Sequence, residues 1–233
     1  RGRAPPAGRG SGAVAGRKAG PVMMWVWSVL AAGVVLVVLF ATWVFYGIRQ
    51  IGQVSRGALI PTRQGQALIL IDLQEVFWDG PAYTEADKSR AEAAILDAVR
   101  DAKAGGVPIV ALRQEWSLPA TRLVARLFMQ GQALAGSPGT GLAKPFLSLA
   151  DYEVVKRVQD GFETGELDTL LGRLDVGALR LAGLDFDYCI ARTAEVARQR
   201  GYSVGLVPGG ALQAAKDTGK TRERLIAAGV TGL

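Results

Sequence analysis

Residues 178–208, "ALRLAGLDFDYCIARTAEVARQRGYSVGLVP", contain the pattern that decides the fold. The apolar run at 178–183 predicts a strand, the helix-forming residues at 189–201 predict a helix, and 203–208 predicts a second strand. A helix between two successive strands is typical of a parallel crossover, because parallel strands cannot be joined by a tight turn. The stretch therefore predicts a parallel sheet with helices packed on it.

The same alternation of strand and helix extends through the rest of the chain. Short apolar runs predict strands at 66–71, 107–112 and 152–157, and helical patterns cover 84–106, 166–174 and 219–229. Together they predict an α/β protein of the three-layer α/β/α class with a mostly parallel, Rossmann-like sheet. The long region 113–151, with Gly, Ser and Pro at its centre, is predicted to be a lid or a disordered loop.

Composition excludes several kinds of chemistry. The 233 residues include one cysteine and no histidine, so an internal disulfide, a Cys-His pair and a Ser-His-Asp triad are impossible. Lys and Arg number 27 against 21 Asp and Glu, but the first twenty residues hold five of the basic side chains and no acid. The remainder is close to neutral, which argues against a nucleic-acid partner.

An uncharged stretch near the N-terminus predicts a membrane anchor. Residues 19–48 carry no charge, and about 20 apolar helical residues cross a bilayer. The alternatives are a cleaved signal peptide, whose apolar region is usually shorter, and a buried core helix. The predicted divisions are a basic low-complexity segment at 1–20, a transmembrane helix at 21–48, a linker at 49–65 and a single folded domain at 66–233.

The orientation of this anchor depends on which positive charges flank it. The five N-terminal basic residues would keep the N-terminus cytoplasmic and export the folded domain, whereas synthesis from Met23 or Met24 would reverse that bias. A cytoplasmic domain is favoured because an unpaired functional thiol survives better in a reducing compartment.

Three chemically useful side chains follow predicted strands: Asp72, Lys156 and Cys189. The carboxyl ends of parallel strands meet at one edge of a sheet, so we expect these groups to share a crevice. A thiol at a helix N-terminus beside an ammonium group should have a lowered pKa, and a nearby carboxylate can accept and return a proton. The alternative is a buried, inert cysteine and an aspartate that caps a turn.

Three ordered motifs resemble those of the isochorismatase-like cysteine hydrolases, the superfamily that includes the nicotinamidases. They are "LILIDLQEVF" (68–77), "VVKRVQDGF" (154–162) and "LAGLDFDYCIARTAEVARQRGYSV" (181–204). The resemblance implies that Cys189 is the nucleophile, Asp72 the general base and Lys156 the cation beside them. It also implies a cis peptide bond at Leu184–Asp185, with the N–H groups of Asp185 and Cys189 forming an oxyanion hole. The predicted pocket residues are Gln74, Phe77, Phe162 and Phe186.

The chain departs from that family pattern at two places. Asp185 and Phe186 stand where the family has small residues, and we expect them to narrow the pocket and to repel anionic substrates. Metal-dependent members use histidines, which this chain lacks, so we predict no metal and no cofactor.

These observations leave three functional hypotheses. The first is a membrane-anchored cysteine hydrolase that cleaves a C–N bond of a small-molecule amide or ureide through a thioester. The alternative is a catalytically degenerate, membrane-tethered binding or scaffold domain of the same fold. A third, hydrolysis of a dianionic vinyl ether, is disfavoured by Asp185. Whether the chain forms homo-oligomers is left open.

Overall fold

The computed structural model describes residues 20–233, which fall into two units that divide within the first helix, at Thr42 and Trp43. The predicted basic segment therefore lies outside the described residues, apart from Gly20. Helix α1 (Pro21–Ile51) is long and apolar enough to cross a membrane. A signal sequence near the N-terminus can meet the same criterion of length and composition, so this property alone does not establish a membrane anchor.

The residues after α1 do not form a free linker. Helix α1 continues three residues beyond the predicted end at 48, and the segment that follows lies along the folded unit. The backbone N–H of Ser55 donates to Asp160 (2.7 Å), and the Arg200 guanidinium donates to the Ser55 carbonyl and hydroxyl. The N–H of Ile60 donates to the Arg200 carbonyl oxygen (2.8 Å). This segment is therefore bound to the domain at several points.

Five parallel strands form the predicted sheet, in the order β3-β2-β1-β4-β5. Their bounds are β1 (Gly65–Ile71), β2 (Ile109–Gln114), β3 (Tyr152–Lys156), β4 (Val176–Gly183) and β5 (Ser203–Ala211). All five predicted strands are present. Strand β2 begins and ends two residues later than predicted, which places Gln114 rather than Leu112 at its carboxyl end.

The remaining helices are α2 (Glu75–Trp78), α3 (Glu85–Ala104), α4 (Pro119–Phe128), α5 (Glu166–Arg173), α6 (Ala191–Gln199) and α7 (Gly219–Ala227). Thr84 caps α3 as its residue type suggests, since its hydroxyl accepts from the N–H of Asp87. The prediction of a lid or disordered loop at 113–151 is wrong, because the region contains α4 and a short 3-10 turn. Helix α4 is ordered by packing Val124 and Ala125 against Trp116.

Alternate side chains of the central strand face two hydrophobic cores. Ala67, Ile69 and Ile71 of β1 pack into the core formed with α5, α6 and α7, and Leu68 and Leu70 pack into the core formed with α3. A strand buried on both faces reads as a continuous apolar run, which is why this segment was recognisable in the sequence. The three-layer α/β/α prediction is confirmed.

Gly183 ends β4 at a point where no side chain fits. Its φ is 126°, and a Cβ there would overlap the Ile71 carbonyl oxygen, which accepts a 3.0 Å hydrogen bond from the N–H of Leu184. We expect Gly183→Ala to lower the free energy of unfolding by about 3 kcal/mol, measured by urea denaturation of the full chain in detergent. Gly141→Ala is the control, because a Cβ there meets nothing within 4 Å. Equal stability of the two variants would contradict the close approach.

Candidate active site

The carboxyl ends of β1, β3 and β4 bring the three predicted catalytic side chains together. Asp72 follows β1, Lys156 is the last residue of β3, and Cys189 lies in the turn after β4. The Lys156 Nζ atom lies 3.0 Å from Asp72 Oδ2 and 3.2 Å from Cys189 Sγ. All three side chains are buried. The predicted convergence at one edge of the sheet is therefore present.

Lys156 is positioned by neighbours from the adjacent strand end. Its ammonium group donates to Gln114 Oε1 (2.6 Å) and approaches the Val158 carbonyl oxygen at 3.4 Å. The N–H of Asp72 donates to the Leu112 carbonyl oxygen (2.9 Å). A fully buried ammonium group needs such partners, because an unpaired charge in the interior is costly.

Gln74 is held by the backbone of two neighbouring segments. Its Nε2 donates to the carbonyl oxygens of Gln114 (3.1 Å) and Thr140 (2.8 Å), and its Oε1 accepts from the N–H of Gln114 (2.6 Å). The side chain is fully buried and ties β2 to the 137–141 loop. These hydrogen bonds give it a structural role, and its role as a pocket residue stays a prediction.

The three predicted pocket phenylalanines also lie mainly in the cores. Phe162 packs against Tyr202 beneath the Arg200 guanidinium, and Phe186 packs in the same core. Phe77 is half-buried between two apolar clusters. All three rings have hydrophobic neighbours, and their role as pocket residues stays a prediction.

The turn before Cys189 has the conformation implied by the motif. The Leu184–Asp185 peptide bond is cis, and residues Phe186–Ile190 form one π-helical turn that continues into α6. The helix thus begins three residues earlier than predicted, and Cys189 lies inside its first turn rather than at its start. This geometry points the thiol at Lys156.

Asp185 is not an open carboxylate in the pocket. Its Oδ1 accepts from the N–H of Asp187 (2.9 Å), and its Oδ2 accepts from the N–H of Ala214 (2.7 Å) and the Tyr83 hydroxyl (3.2 Å). These bonds join the turn to the loop after β5. Burial raises its pKa, although the two backbone hydrogen bonds oppose that change.

Tyr83 belongs to the site and was missed by sequence reasoning. It lines a cavity of about 480 Å³ together with Arg90, Leu212 and Lys216. Its hydroxyl donates to Asp185 Oδ2 (3.2 Å) in the turn before Cys189, and burial and Asp185 raise the pKa of its phenol. Its only sequence signal is an aromatic residue in the turn between α2 and α3, which is too common a pattern to indicate function.

The folded domain matches a known protein family. The sequence profile of the Isochorismatase domain matches residues 66–222. The chain belongs to the isochorismatase family. The match covers all five strands and the three catalytic candidates, and it confirms the resemblance drawn from the motifs.

Solved structures of isochorismatase-like hydrolases share the fold. N-carbamoylsarcosine amidase from Thermoplasma acidophilum is 22% identical, with a TM-score of 0.62 over 72% of this chain and 95% of that one. An isochorismatase family protein from Desulfovibrio vulgaris is 24% identical, with a TM-score of 0.62 over 72% and 93% of the two chains. Pyrazinamidase of Pyrococcus horikoshii in complex with zinc is 22% identical, with a TM-score of 0.59 over 72% and 98%.

The residues of this isochorismatase family member do not fit a metal site like that of a zinc-binding relative. The chain has no histidine, and between residues 20 and 233 no group of three or more Cys, Asp or Glu side chains is placed to hold a metal ion. At the end of β2, Gln114 binds Lys156 and Glu115 pairs with Arg113 (3.1 Å). Gln114 Oε1 and Glu115 Oε1, which could otherwise bind a metal ion, are therefore already paired with Lys156 and Arg113.

The protonation of this isochorismatase-type site differs from the sequence prediction. Burial and the Asp72 carboxylate raise the pKa of the Cys189 thiol, and the opposing effect of Lys156 is smaller, so the predicted lowering is wrong. The pKa of Asp72 is also raised by burial, while that of Lys156 is raised by its anionic neighbours despite burial. Because a carboxyl group is intrinsically the stronger acid, the resting site holds a carboxylate, an ammonium group and a neutral thiol.

Opposite shifts in the pKa of Cys189 are expected when its two neighbours are neutralised. Asp72→Asn removes a charge that raises this pKa and should lower it, whereas Lys156→Met removes a charge that lowers this pKa and should raise it. The measurement is the rate of Cys189 alkylation by iodoacetamide against pH, with the exposed Asp79→Asn as control. Shifts in the same direction would contradict the proposed contacts.

Proposed function

We propose that this protein is a cysteine hydrolase that cleaves the C–N bond of a small amide or ureide through a thioester intermediate. The observation that carries the proposal is the position of Lys156 Nζ, 3.0 Å from the Asp72 carboxylate and 3.2 Å from the Cys189 sulfur. A nucleophile, a base and a cation in contact are the groups that acyl transfer requires. N-carbamoylsarcosine amidase and pyrazinamidase share the fold, which agrees with this chemistry.

Acylation begins with removal of the thiol proton. Asp72 Oδ2 pairs with Lys156, whereas Asp72 Oδ1 is buried and has no hydrogen-bond partner within residues 20–233. We assign Oδ1 as the acceptor of the Cys189 proton. The sulfur then attacks the substrate carbonyl carbon to form a tetrahedral intermediate, and its collapse breaks the C–N bond as Asp72 returns the proton to the leaving nitrogen.

Deacylation uses the same groups in reverse order. The leaving amine departs, and the Asp72 carboxylate accepts a proton from a water molecule that attacks the thioester carbonyl. Breaking the C–S bond releases the carboxylic or carbamic acid, and the proton returns to Cys189 sulfur. Lys156 stays protonated throughout because its charge stabilises both anions in turn. The cycle consumes one water molecule and needs no redox step.

Negative charge on the substrate oxygen needs donors during both steps. We assign this role to the backbone N–H groups of Asp185 and Cys189, which lie at the two sides of the turn after β4. The contacts of the Asp185 side chain with Ala214 and Asp187 hold this turn in place. Oriented amide donors of this kind contribute about 3–4 kcal/mol to transition-state stabilisation.

The surroundings of the thiol restrict the substrate to a small molecule. Cys189 is 9% exposed, and the cavity of about 480 Å³ that Tyr83 and Ala214 line lies beside Asp185, although its lining does not include Asp72, Lys156 or Cys189. This volume is in the lower half of the range for small-molecule sites. The cavity contains both acidic and basic side chains, Asp87, Arg90 and Lys216, and therefore suits a polar amide or ureide rather than a peptide.

The same proposal includes a single-pass membrane anchor formed by α1. The large apolar side chains between residues 22 and 40 are exposed on the surface of the helix. A lipid bilayer would bury this apolar surface, whereas in water it would stay exposed. A retained anchor is favoured over a cleaved signal because the helix continues into the folded unit, where Gly47 and Ile51 contact other residues. The unpaired Cys189, which the proposed reaction needs as a thiol, favours placement of the catalytic domain in the reducing cytoplasm.

Turnover and a trapped intermediate test the catalytic proposal. The full chain in detergent is incubated with a panel of small amides and ureides, and ammonia or amine release is measured. Rapid acid quenching followed by peptide mass spectrometry should find an acyl group on Cys189 for each substrate that is turned over. Hydrolysis without any acyl adduct in single-turnover samples would contradict the thioester, and a folded protein that turns over no member of the panel would favour the binding-domain alternative.

A further inference from the structure

Helix α4 has one face packed on the domain and another face exposed. Its buried residues are Ala120, Thr121, Val124 and Ala125. On the outer side, Leu127 is 58% exposed and Phe128 is 67% exposed. We use the name α4 outer surface for Arg122, Arg126, Leu127 and Phe128. Large apolar side chains beside arginines are typical of helices that lie in the plane of a membrane surface.

The last two turns of α1 contact the buried face of α4. A Cβ at Gly47 would lie 2.7 Å from the Cβ of Ala120, so the two helices approach as closely as small residues allow. Val44 and Ile51 of α1 pack in the same cluster as Val124 and Ala125 of α4. Helix α4 is thus attached to the end of the apolar segment.

This contact determines the depth of α4 if α1 spans a bilayer. The first charged residue after the apolar segment is Arg49, and the contact at Gly47 comes before it in the chain. A helix is about 10–12 Å wide including its side chains, so a helix touching Gly47 lies within the interfacial layer where the hydrocarbon ends. Phe45 and Tyr46, 58% and 57% exposed, provide aromatic side chains at the same level.

The charge of α4 suits an anionic surface. The helix contains two arginines and no acidic residue. Within the described part of the chain, neither Arg122 nor Arg126 forms an ion pair, in contrast to Arg192 and Arg200 on α6 and its end. Basic side chains next to a span are attracted to the anionic phospholipids of the cytoplasmic leaflet.

We propose that the α4 outer surface binds the headgroup region of an anionic phospholipid bilayer, with Leu127 and Phe128 inserted at the acyl boundary and Arg122 and Arg126 on the phosphates. This inference rests on the proposed anchor α1 and is independent of the catalytic reaction. It makes α4 a second membrane contact of this chain.

The test uses the full chain in phosphatidylcholine vesicles with or without phosphatidylglycerol. In a Cys189→Ala background, a single cysteine is introduced at Leu127, at Ile226 or at Val35 and labelled with an environment-sensitive fluorophore. Ile226 on α7 is the matched control because it is also 58% exposed. Lipids with a nitroxide near the headgroup quench the label at position 127 if α4 contacts the membrane surface. Lipids with a nitroxide deep in the acyl chain quench the label at position 35 if α1 is inserted in the bilayer.

We expect quenching of the Leu127 label to exceed that of the Ile226 label at least about twofold, and to increase with phosphatidylglycerol. Replacing Arg122 and Arg126 by Gln should abolish that increase, whereas Arg90→Gln with Arg100→Gln should not. Equal quenching at 127 and 226 with a quenched Val35 label would overturn the α4 proposal and keep the anchor. An unquenched Val35 label would overturn both. If the emission of the label at position 127 changes with the density of protein in the vesicles and not with the nitroxide lipid, the α4 outer surface binds a second copy of the chain. That outcome would overturn the proposal.

Discussion

Replacing Cys189 by Ala is expected to lower the rate of amide hydrolysis by at least about 10⁴-fold, because no other group can form the thioester. The measurement is amine release from the best substrate of the panel, at saturating and at low substrate concentration. The fall should appear in kcat, since the sulfur bonds to the substrate only during reaction. The protein should remain folded, because alanine is smaller than cysteine and the site is largely apolar on its core side.

Tyr188→Phe is the control for Cys189→Ala. Tyr188 precedes the thiol in the same turn but is 54% exposed, so its hydroxyl has no part in the proposed mechanism. This variant should keep its rate within about twofold of the unmodified chain, as expected for an exposed group outside the reaction. Hydrolysis that survives Cys189→Ala would remove the thiol from the mechanism, and a direct attack by water activated at Asp72 would replace it.

Replacing Lys156 by Met should be the most destabilising of the proposed catalytic substitutions. The ammonium group is fully buried between Asp72 and Cys189, and its removal leaves the Asp72 carboxylate without its counter-charge. Breaking a buried ion pair on one side typically costs about 3–5 kcal/mol of unfolding free energy. Chemical denaturation of the full chain in detergent measures this loss, and activity should fall with it.

The stability deficit of Lys156→Met should depend on pH in a predictable direction. Burial already raises the pKa of Asp72 and Lys156 opposes that effect, so the variant's Asp72 pKa rises further in the folded state. An acid with a folded pKa above its unfolded value binds more protons when folded, and the protein therefore loses stability as pH rises through the folded pKa. The deficit should be smallest near pH 4, about the unfolded pKa of Asp, and largest at alkaline pH.

A double variant separates the missing charge partner from a packing defect. Asp72→Asn with Lys156→Met removes both charges and should recover at least about half of the stability lost by Lys156→Met alone, because no unpaired charge stays buried. Absence of recovery would mean that the lysine acts through its packed side chain. The double variant should not hydrolyse amides, since it lacks the base as well.

Local patterns in the sequence were sufficient for the layered fold. The central strand β1 is the apolar run that a sheet buried on both faces requires, and Thr84 and Gly183 mark element ends by residue type. The prediction for 113–151 was wrong because α4 packs on the end of α1, which is distant in the chain, as well as on the neighbouring Trp116. Short helices depend on such packing rather than on intrinsic propensity.

The candidate site was predictable only in part. Asp72, Lys156 and Cys189 were found because the ends of parallel strands converge, whatever the details of packing. The participation of Tyr83 and the actual role of Gln74 were not predictable, because both depend on which neighbours a side chain meets. The sign of the Cys189 pKa shift was mispredicted because burial outweighed the attraction of Lys156.

The sequence by itself determined the parallel α/β architecture, the apolar helix and the three residues at the strand ends, since periodicity, apolar length and chain order are local properties. Only the tertiary structure decided that Asp72 Oδ1 has no hydrogen-bond partner among the described residues, that burial and Asp72 raise the pKa of the Cys189 thiol and that α4 packs on the end of α1. The reason is physical: hydrogen-bond partners, desolvation and helix contacts depend on distances between residues far apart in the chain.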